Sequence, residues 1–426
     1  MKRIFVLSFL TAGVFSFAQS IGNSPYAAFG IGDVKYDNTV DISAMGGIST
    51  AYITDLNNKF NFKNPAANTN LDLTSFSVEG TNENNFYTSD YNNVKSTKHS
   101  TYLSNISIAF PISKKLKFGL GYQPYSSKTY NVLSTKVISQ TDSISQYNKF
   151  VGRGTLNTVQ ASLGYHFSNN FAIGLRTNYY FGKLYDTEEV TFTNAELVNG
   201  FETSNKIQSF NFTAGTTYQK KFENDRKLTL GATYTFGTTG KMTTRYQNST
   251  YYYADSEAHL GENVIDSKVS EEKSLLPQEA SLGLGFGHEA KWFASTQVDY
   301  KKGETIQFLG QPFQYNNSYK ISAGGWVLPN YNNFRSYFSR VIYRFGGYYE
   351  KGSLNIYGKD INEVAFTAGA TFPFANTNIN RMSSIDLGLE VGKRGTTQNN
   401  LINQTFFNVK IGLNFADKWF VKRQYD

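Results

Sequence analysis

Apolar residues recur at every second position through most of the chain after residue 72, and only the extended β-strand sends alternate side chains to opposite faces. Near the C-terminal end, Phe407, Val409, Ile411, Leu413 and Phe415 share one face, and Asn408, Lys410, Gly412 and Asn414 share the other. Before them, Ile385, Leu387, Leu389 and Val391 alternate with Asp386, Gly388, Glu390 and Gly392. A third run sets Leu228, Leu230, Ala232, Tyr234 and Phe236 against Lys227, Thr229, Gly231, Thr233 and Thr235. A soluble sandwich also alternates, with its apolar face inward. Here the polar faces are rich in Gly, Thr, Ser and Asn rather than densely charged, the apolar faces end in aromatics, and short connections alternate with long ones. Together these predict an all-β fold, a transmembrane antiparallel β-barrel with its apolar side chains toward lipid.

Composition agrees. Aromatics make up 16% of the chain, with 30 Tyr and 35 Phe, yet mean hydropathy is only −0.41. An apolar outside around a polar inside averages to that mixture. Lys2 and Arg3 precede an apolar run from Ile4 to Phe17, and Ser16-Phe17-Ala18 fits a small-x-small cleavage site. That predicts a signal peptide over 1–18, cleaved near Ala18, and residence in the cell outer membrane. The run is too short for a membrane helix, and no other stretch approaches 18 apolar residues. The absence of Cys removes disulfides, thiol catalysis and thiolate metal sites. Without Lys2 and Arg3 the formal charge falls from +8 to +6. It is dispersed, unlike the basic tract of a nucleic-acid binder, so no nucleic-acid partner is expected, and it suits anionic headgroups of outer-membrane lipid and lipopolysaccharide.

The alternation predicts strands near 72–80, 100–111, 116–127, 155–167, 170–183, 206–221, 226–237, 277–287, 290–302, 317–327, 335–348, 361–372, 383–393 and 405–415. That is about fourteen, an even number as single-chain bacterial barrels have. Short turns around Ser113-Lys114-Lys115, Ser168-Asn169-Asn170, Glu223-Asn224-Asp225 and His288-Glu289-Ala290 read as periplasmic. The polar stretches 81–99, 128–154, 184–205 and 238–276 read as long extracellular loops. The barrel is thus expected over 72–416, with a periplasmic tail over 417–426. Residues 19–71, rich in Gly and Asn with Pro25 and Pro65, do not read as strands. They are expected to form a plug in the lumen, since Phe29, Ile31, Ile48 and Phe62 would sit badly on a free tail.

Within that segment Ala44-Met45-Gly46-Gly47, then Ala51-Tyr52 and Lys63-Asn64-Pro65-Ala66-Ala67, resemble the N-terminal signature of the long-chain fatty-acid outer-membrane transporters, the FadL-like superfamily. Ser24-Pro25-Tyr26, Phe29-Gly30-Ile31-Gly32-Asp33 and the ending Asp417-Lys418-Trp419-Phe420 with Lys422-Arg423 resemble the Bacteroidetes-type branch. The resemblance covers about fifty residues and implies a fourteen-stranded barrel with an N-terminal hatch, in which Met45, Gly46, Gly47, Asn64, Pro65 and Ala66 form the hatch motif. It implies two functional readings. One is uptake of a fatty-acid-like hydrophobic small molecule through the plugged lumen. The other, from the related PorV-type barrels of type IX secretion, is a scaffold or shuttle with an envelope protein complex as partner.

Pro124 lies inside an otherwise good strand, Lys117 to Tyr125, where proline removes a ladder donor. In the resembled transporters a kink in the third strand opens a lateral exit, so Pro124 is a candidate lateral-gate kink; the alternative is that it begins the second loop. Alternation turns Arg176, Glu279, Asp299, Lys320, Arg340, Arg344, Asp386, Glu390 and Lys410 inward. A cation facing mid-membrane lipid costs about 2–4 kcal/mol, which favours the lumen. Asp386 and Glu390 neighbour the strand of Lys410, making a candidate lumen ion-pair set whose role is structural or ligand-handling. Tyr251, Tyr252 and Tyr253 are candidate ligand contacts on a loop. The four His, at 99, 166, 259 and 288, show no metal-ligand spacing. No Gly-x-Ser-x-Gly elbow occurs, and Gly283-Leu284-Gly285-Phe286-Gly287 is alternating strand glycine with no helix behind it. No enzyme and no cofactor are expected.

Overall fold

The computed structural model describes residues 21–35, 39–54, 59–90, 93–253, 259–308, 311–333, 335–374 and 383–419. The expected signal peptide and most of the tail lie outside them. Alternation drives fourteen strands into one antiparallel ring: β2 (Thr74–Ser89), β3 (Lys95–Pro111), β4 (Leu116–Ser127), β6 (Ile144–His166), β7 (Phe171–Phe192), β8 (Leu197–Lys221) and β9 (Arg226–Phe236), then β12 (Glu279–His288), β13 (Trp292–Lys301), β16 (Ser318–Val327), β17 (Ile342–Lys351), β20 (Glu363–Pro373), β21 (Ser384–Gly395) and β22 (Ile402–Asp417). β22 pairs with β2 from Thr74↔Asp417 to Ser89↔Ile402 and closes the ring, while β14 (Thr305–Phe308) with β15 (Gln311–Gln314) and β18 (Asn355–Ile356) with β19 (Lys359–Asp360) form two separate hairpins. Leu387, Leu389 and Val391 face outward and exposed while Asp386 and Glu390 are buried, the inverse of a soluble protein's pattern. Among the described residues no helix is long and apolar enough to cross a membrane.

The strands are not equally tall. β12, β13, β16 and β17 have 10 residues each, close to the 9–11 that span a bilayer when tilted. β6, β7 and β8 have 23, 22 and 25 residues. At about 3.3 Å per residue β8 is about 80 Å long, far beyond the hydrocarbon. On this side β4 continues after Lys128-Thr129 as β5 (Tyr130–Ser139) along β6, and β10 (Thr238–Tyr253) with β11 (His259–Leu276) extends the β9–β12 pair upward. The stretches expected as extracellular loops are therefore mostly hydrogen-bonded strand. Their sequences lose apolar alternation because neither face meets lipid, yet the backbone ladder persists. Tyr251, Tyr252 and Tyr253 are corrected with them: they lie on β10, and Tyr251 is buried with its hydroxyl on Glu189 at 2.9 Å. The expected strand 335–348 begins instead at Ile342, so half-buried Arg340 sits in a 3-10 turn (Phe338–Arg340) before β17 and not on a barrel strand.

The described residues between 21 and 71 pack against the ring's inner face. They include a 3-10 turn at Pro25–Ala28, β1 (Asp33–Val34), the short helix α1 (Val40–Ser43) and a second 3-10 turn at Pro65–Ala67. Ile42, Met45, Ile48 and Tyr52 form an apolar cluster with Trp326, Leu328 and Ile342 of the wall side.

Candidate functional site

An irregular segment inside a barrel has backbone groups that no ladder satisfies, so asparagine and glutamine side chains take their place. Asn64 caps the Pro65 turn, accepting from the Ala66 N–H at 3.0 Å and donating to the carbonyls of Thr50 at 2.6 Å and Thr216 at 3.2 Å. The Gln297 carbonyl oxygen on β13 accepts the N–H groups of Ser49 and Thr50, both at 2.8 Å. Gly46 has φ +74°, a region L-residues avoid, and its N–H donates to Thr367 at 2.9 Å. Close approach needs wall glycines as well: a Cβ at Gly231 would stand 1.9 Å from the Thr50 carbonyl oxygen. Met45 is fully buried, and Gly47 has φ +85°. Pro65 and Ala66 lie against Gly174 of β7.

Charge anchors the other flank. Lys59 bridges Asp41 of α1, at 3.4 Å, and Asp386 of β21, with all three buried; Asp386 also accepts from Thr371, and Thr371 accepts from Arg344. Lys410 lies 3.1 Å from Glu390 and donates to Ser43 of α1 at 2.9 Å. The structure thus brings Glu390 and Lys410 together and gives Asp386 a different partner, Lys59. Of the other inward-facing groups, Arg176 donates to the Phe62 carbonyl at 2.9 Å, Glu279 pairs with Lys301 at 3.4 Å, and Asp299 accepts from Ser281 at 2.5 Å. The Lys320 ammonium stands 3.7 Å from the Tyr348 ring centre.

Among the described residues the wall is interrupted between β3 and β4. β3 and β4 pair only from Ile106↔Tyr122 to Pro111↔Lys117. Above that, β3 pairs with β2 alone, and β4 passes through Pro124 and a bulge before Ser126 while pairing with β6. Pro124 therefore lies within the strand, which runs on to Ser127. β1 lies in the opening, paired as Asp33↔Ser127 and Val34↔Ser126, and the Lys35 N–H donates to the Tyr125 carbonyl at 2.7 Å. Lys35 bonds Glu83 of β2 at 2.9 Å and Asp33 at 3.2 Å; Arg394 of β21 bonds Asp33 at 2.6 Å, and the Tyr102 hydroxyl donates to Glu83 at 2.6 Å. Burial raises the Asp33 pKa, but the Lys35 and Arg394 cations overcome it and hold the carboxyl at about 2. Sequence reading missed this latch, although an ionisable residue in a segment bound for the interior has to find a partner there.

Between the inner segment and the open end lies a cavity of about 240 Å³. Ile31, Tyr125, Tyr180 and Leu276 give it an apolar side, and Glu279, Asp299, Lys301 and Lys320 a charged one. A second, of about 100 Å³, lies beside β1 and is lined by Lys35, Tyr102, Pro124 and Arg394. Among the described residues no group of three His, Asp or Glu side chains could hold a metal ion.

The fold has close counterparts among solved structures. The toluene transporter TbuX of Ralstonia pickettii is similar at 13% identity, with 89% of this chain and 98% of that one covered and a TM-score of 0.56. The toluene transporter TodX of Pseudomonas putida gives 13%, 91% and 99%, at 0.55. A deltaS2 mutant of the TodX monoaromatic hydrocarbon channel gives 15%, 93% and 100%, at 0.57. These establish the FadL-type fourteen-stranded outer-membrane barrel as the fold. No curated protein matches the chain. The BamG family model matches residues 1–426, the whole length. The chain belongs to the BamG family. Membership covers barrel and inner segment together, so the two are read below as one unit.

Proposed function

We propose that this barrel takes up a hydrophobic small molecule, fatty-acid-like in having an apolar body and a polar head, and releases it sideways between β3 and β4. The observation that carries the reading is the interrupted β3–β4 pairing beside Pro124, occupied by β1 and its ion pairs rather than by wall. A lateral path spares an apolar cargo a wet channel. The cavity's two-sided lining suits such a ligand, with Ile31, Tyr125 and Leu276 toward the body and Lys301 or Lys320 toward the head. The neighbouring structures' descriptions as toluene transporters support an apolar cargo. In this reading residues 19–71 are the plug, the hatch motif seats it, and Pro124 is the kink that keeps the gap open.

The absence of native Cys makes a clean test. Cysteines replacing Val34 and Ser126, which face each other across the β1–β4 ladder, should lock β1 on oxidation and stop uptake of a labelled long-chain fatty acid into cells, with recovery on reduction. Pro124→Val should lower the same uptake. Unchanged uptake in both retires the lateral path.

A second reading, a scaffold or shuttle within an envelope secretion or assembly complex, is favoured by the tall sheet. β5 to β8 with β10 and β11 stand well beyond the bilayer, where transport through the wall needs no structure.

A further inference from the structure

The tall sheet has a free edge. β5 pairs with β6 from Tyr130↔Gly152 to Ser139↔Ile144. Among the described residues no backbone hydrogen bond joins β5 to any other strand. β3, its neighbour around the ring, turns to β2 instead. One row of β5 amides and carbonyls is therefore without a backbone partner beyond the buried Tyr130 end, near which the Pro25–Ala28 turn packs. Tyr130 at its start is buried, but from Asn131 to Ile138 both faces are exposed, with Val132, Leu133, Val137 and Ile138 at 39%, 65%, 59% and 50%. Proteins guard such edges with prolines, inward charges or very short strands. β5 has no proline, a single charge at Lys136, and only a bulge between Val137 and Ser139.

Lipid does not cover this edge. Gly152, where the β5–β6 pairing begins, is fourteen residues above His166 at the short-turn end of β6. A tilted spanning strand needs only about 9–11, so β5 stands in water on the outer side. A second copy covers it poorly too. Insertion fixes the same direction for every copy, so two β5 strands meeting across an axis normal to the membrane run parallel and offer each other the same edge, not the antiparallel match that a strand pair most readily forms.

We infer that β5 (Tyr130–Ser139) is a docking edge for an extended segment of another envelope protein, which adds to the sheet as an antiparallel strand. β4 and β5 run outward from the short-turn end, so the incoming strand runs toward the membrane. Its alternate side chains meet Val132 on one face and Leu133 and Val137 on the other, giving an apolar segment with few charges. This inference rests on the scaffold reading, and it names the surface.

The test is photo-crosslinking in intact cells with an unnatural amino acid placed singly at Leu133, Thr135 and Val137, with Leu284 on the lipid face as control. The expected adducts join one partner protein, and mapping them by mass spectrometry places contact points at falling partner residue numbers as the β5 number rises. Ser134→Pro and Thr135→Pro give the second arm. Successive residues point their N–H groups to opposite sides, so one proline removes an N–H from β6 and the other removes an outward one. Both barrels should keep heat-modifiable migration, and the outward one should lose at least tenfold in partner recovery. Adducts scattered without register, adducts only with lipopolysaccharide, or adducts only with this chain overturn the docking edge. If partners co-purify but bind elsewhere, the edge fails and the scaffold reading stands; if none co-purifies in mild detergent, both fail.

Discussion

On the tall side, β6, β7 and β8 meet the inner segment chiefly through glycines; on the opposite side, β20 to β22 add buried ion pairs to such contacts. The Pro65 turn lies where a Cβ on Gly164, Gly174 or Gly215 would come within 2.3–2.5 Å of its atoms. Helix α1 is bound instead through Lys59, Asp386 and Lys410. Backbone pressed on backbone fixes position by sterics and tolerates no added methyl group. Buried ion pairs fix position by the penalty of leaving a charge unpartnered. The tall strands, of 22 to 25 residues, also continue farther past the lipid than β20 to β22, of 11, 12 and 16. A residue's place on the ring therefore decides which kind of substitution hurts.

The largest effect belongs to Lys59. Removing it leaves Asp41 and Asp386 facing each other in the interior, and Lys59→Ala should cost about 3–5 kcal/mol. Guanidinium unfolding of the barrel in lipid vesicles measures it. Replacing Lys59 and Asp41 together by apolar residues should recover much of the loss, because Asp386 then still faces the buried Arg344 cation through Thr371. A loss under about 1 kcal/mol for Lys59→Ala would erase the electrostatic half of the contrast.

Next come charges on the outer surface. Leu284 sits mid-strand on β12, exposed, and Val137 is exposed on β5. Leu284→Arg should destabilise by about 2–4 kcal/mol, the cost of a cation in mid-membrane lipid. Val137→Arg, out in water, should stay within about 0.5 kcal/mol. Equal losses in the same vesicle titration would place both walls in lipid and end the distinction between them.

The ring was legible from sequence because lipid imposes alternation on every spanning strand. Leu387, Leu389 and Val391 against Asp386 and Glu390 announce both faces at once. Strand β17 starts later than the pattern implies because Tyr337, Val341, Tyr343 and Phe345 share one parity and carry the apolar pattern back through a turn. The tall strands went unread for a physical reason: β5 and β11 are wet on both faces, so their sequences carry no periodic apolar signal, and only the ladder, a backbone property, reveals them. The inner segment was legible by its small residues and by Asn64-Pro65-Ala66. Its partners were not, since the Lys59–Asp386 contact joins residues 327 positions apart and alternation says nothing of which lumen charge meets which.

The glycine half of the comparison is tested at Gly174. An added Cβ would stand 2.5 Å from the Pro65 carbonyl carbon, so the turn has to shift. Gly174→Ala should cost about 1–3 kcal/mol and loosen the inner segment. Gly358, at a hairpin tip with nothing near its Cβ but φ +77°, is a control for backbone strain alone. Faster hydrogen exchange at the Ala66 N–H in the first variant and not in Gly358→Ala separates packing from strain.

The smallest effect lies where the two sides meet, at the latch on β1. Asp33 reaches Arg394 on the side of β20 to β22 while its strand pairs with β4 at the foot of the tall one. Its carboxyl is held at about 2, below its ordinary 3.8. A depressed carboxyl contributes stability that is complete above the ordinary value and is lost as pH falls toward the folded one. Between pH 7 and 5 the latch should therefore hold unchanged, and it should loosen only as pH drops through about 4 toward 2. Amide exchange at Lys35, whose N–H bonds the Tyr125 carbonyl, reports this once intrinsic rates are divided out. Asp33→Asn should flatten the acid dependence and shift protection at neutral pH only slightly, because Lys35 retains Glu83. Protection already lost at pH 5 in the unaltered chain would mean that another group governs the latch, and the two sides would then be joined by something other than Asp33.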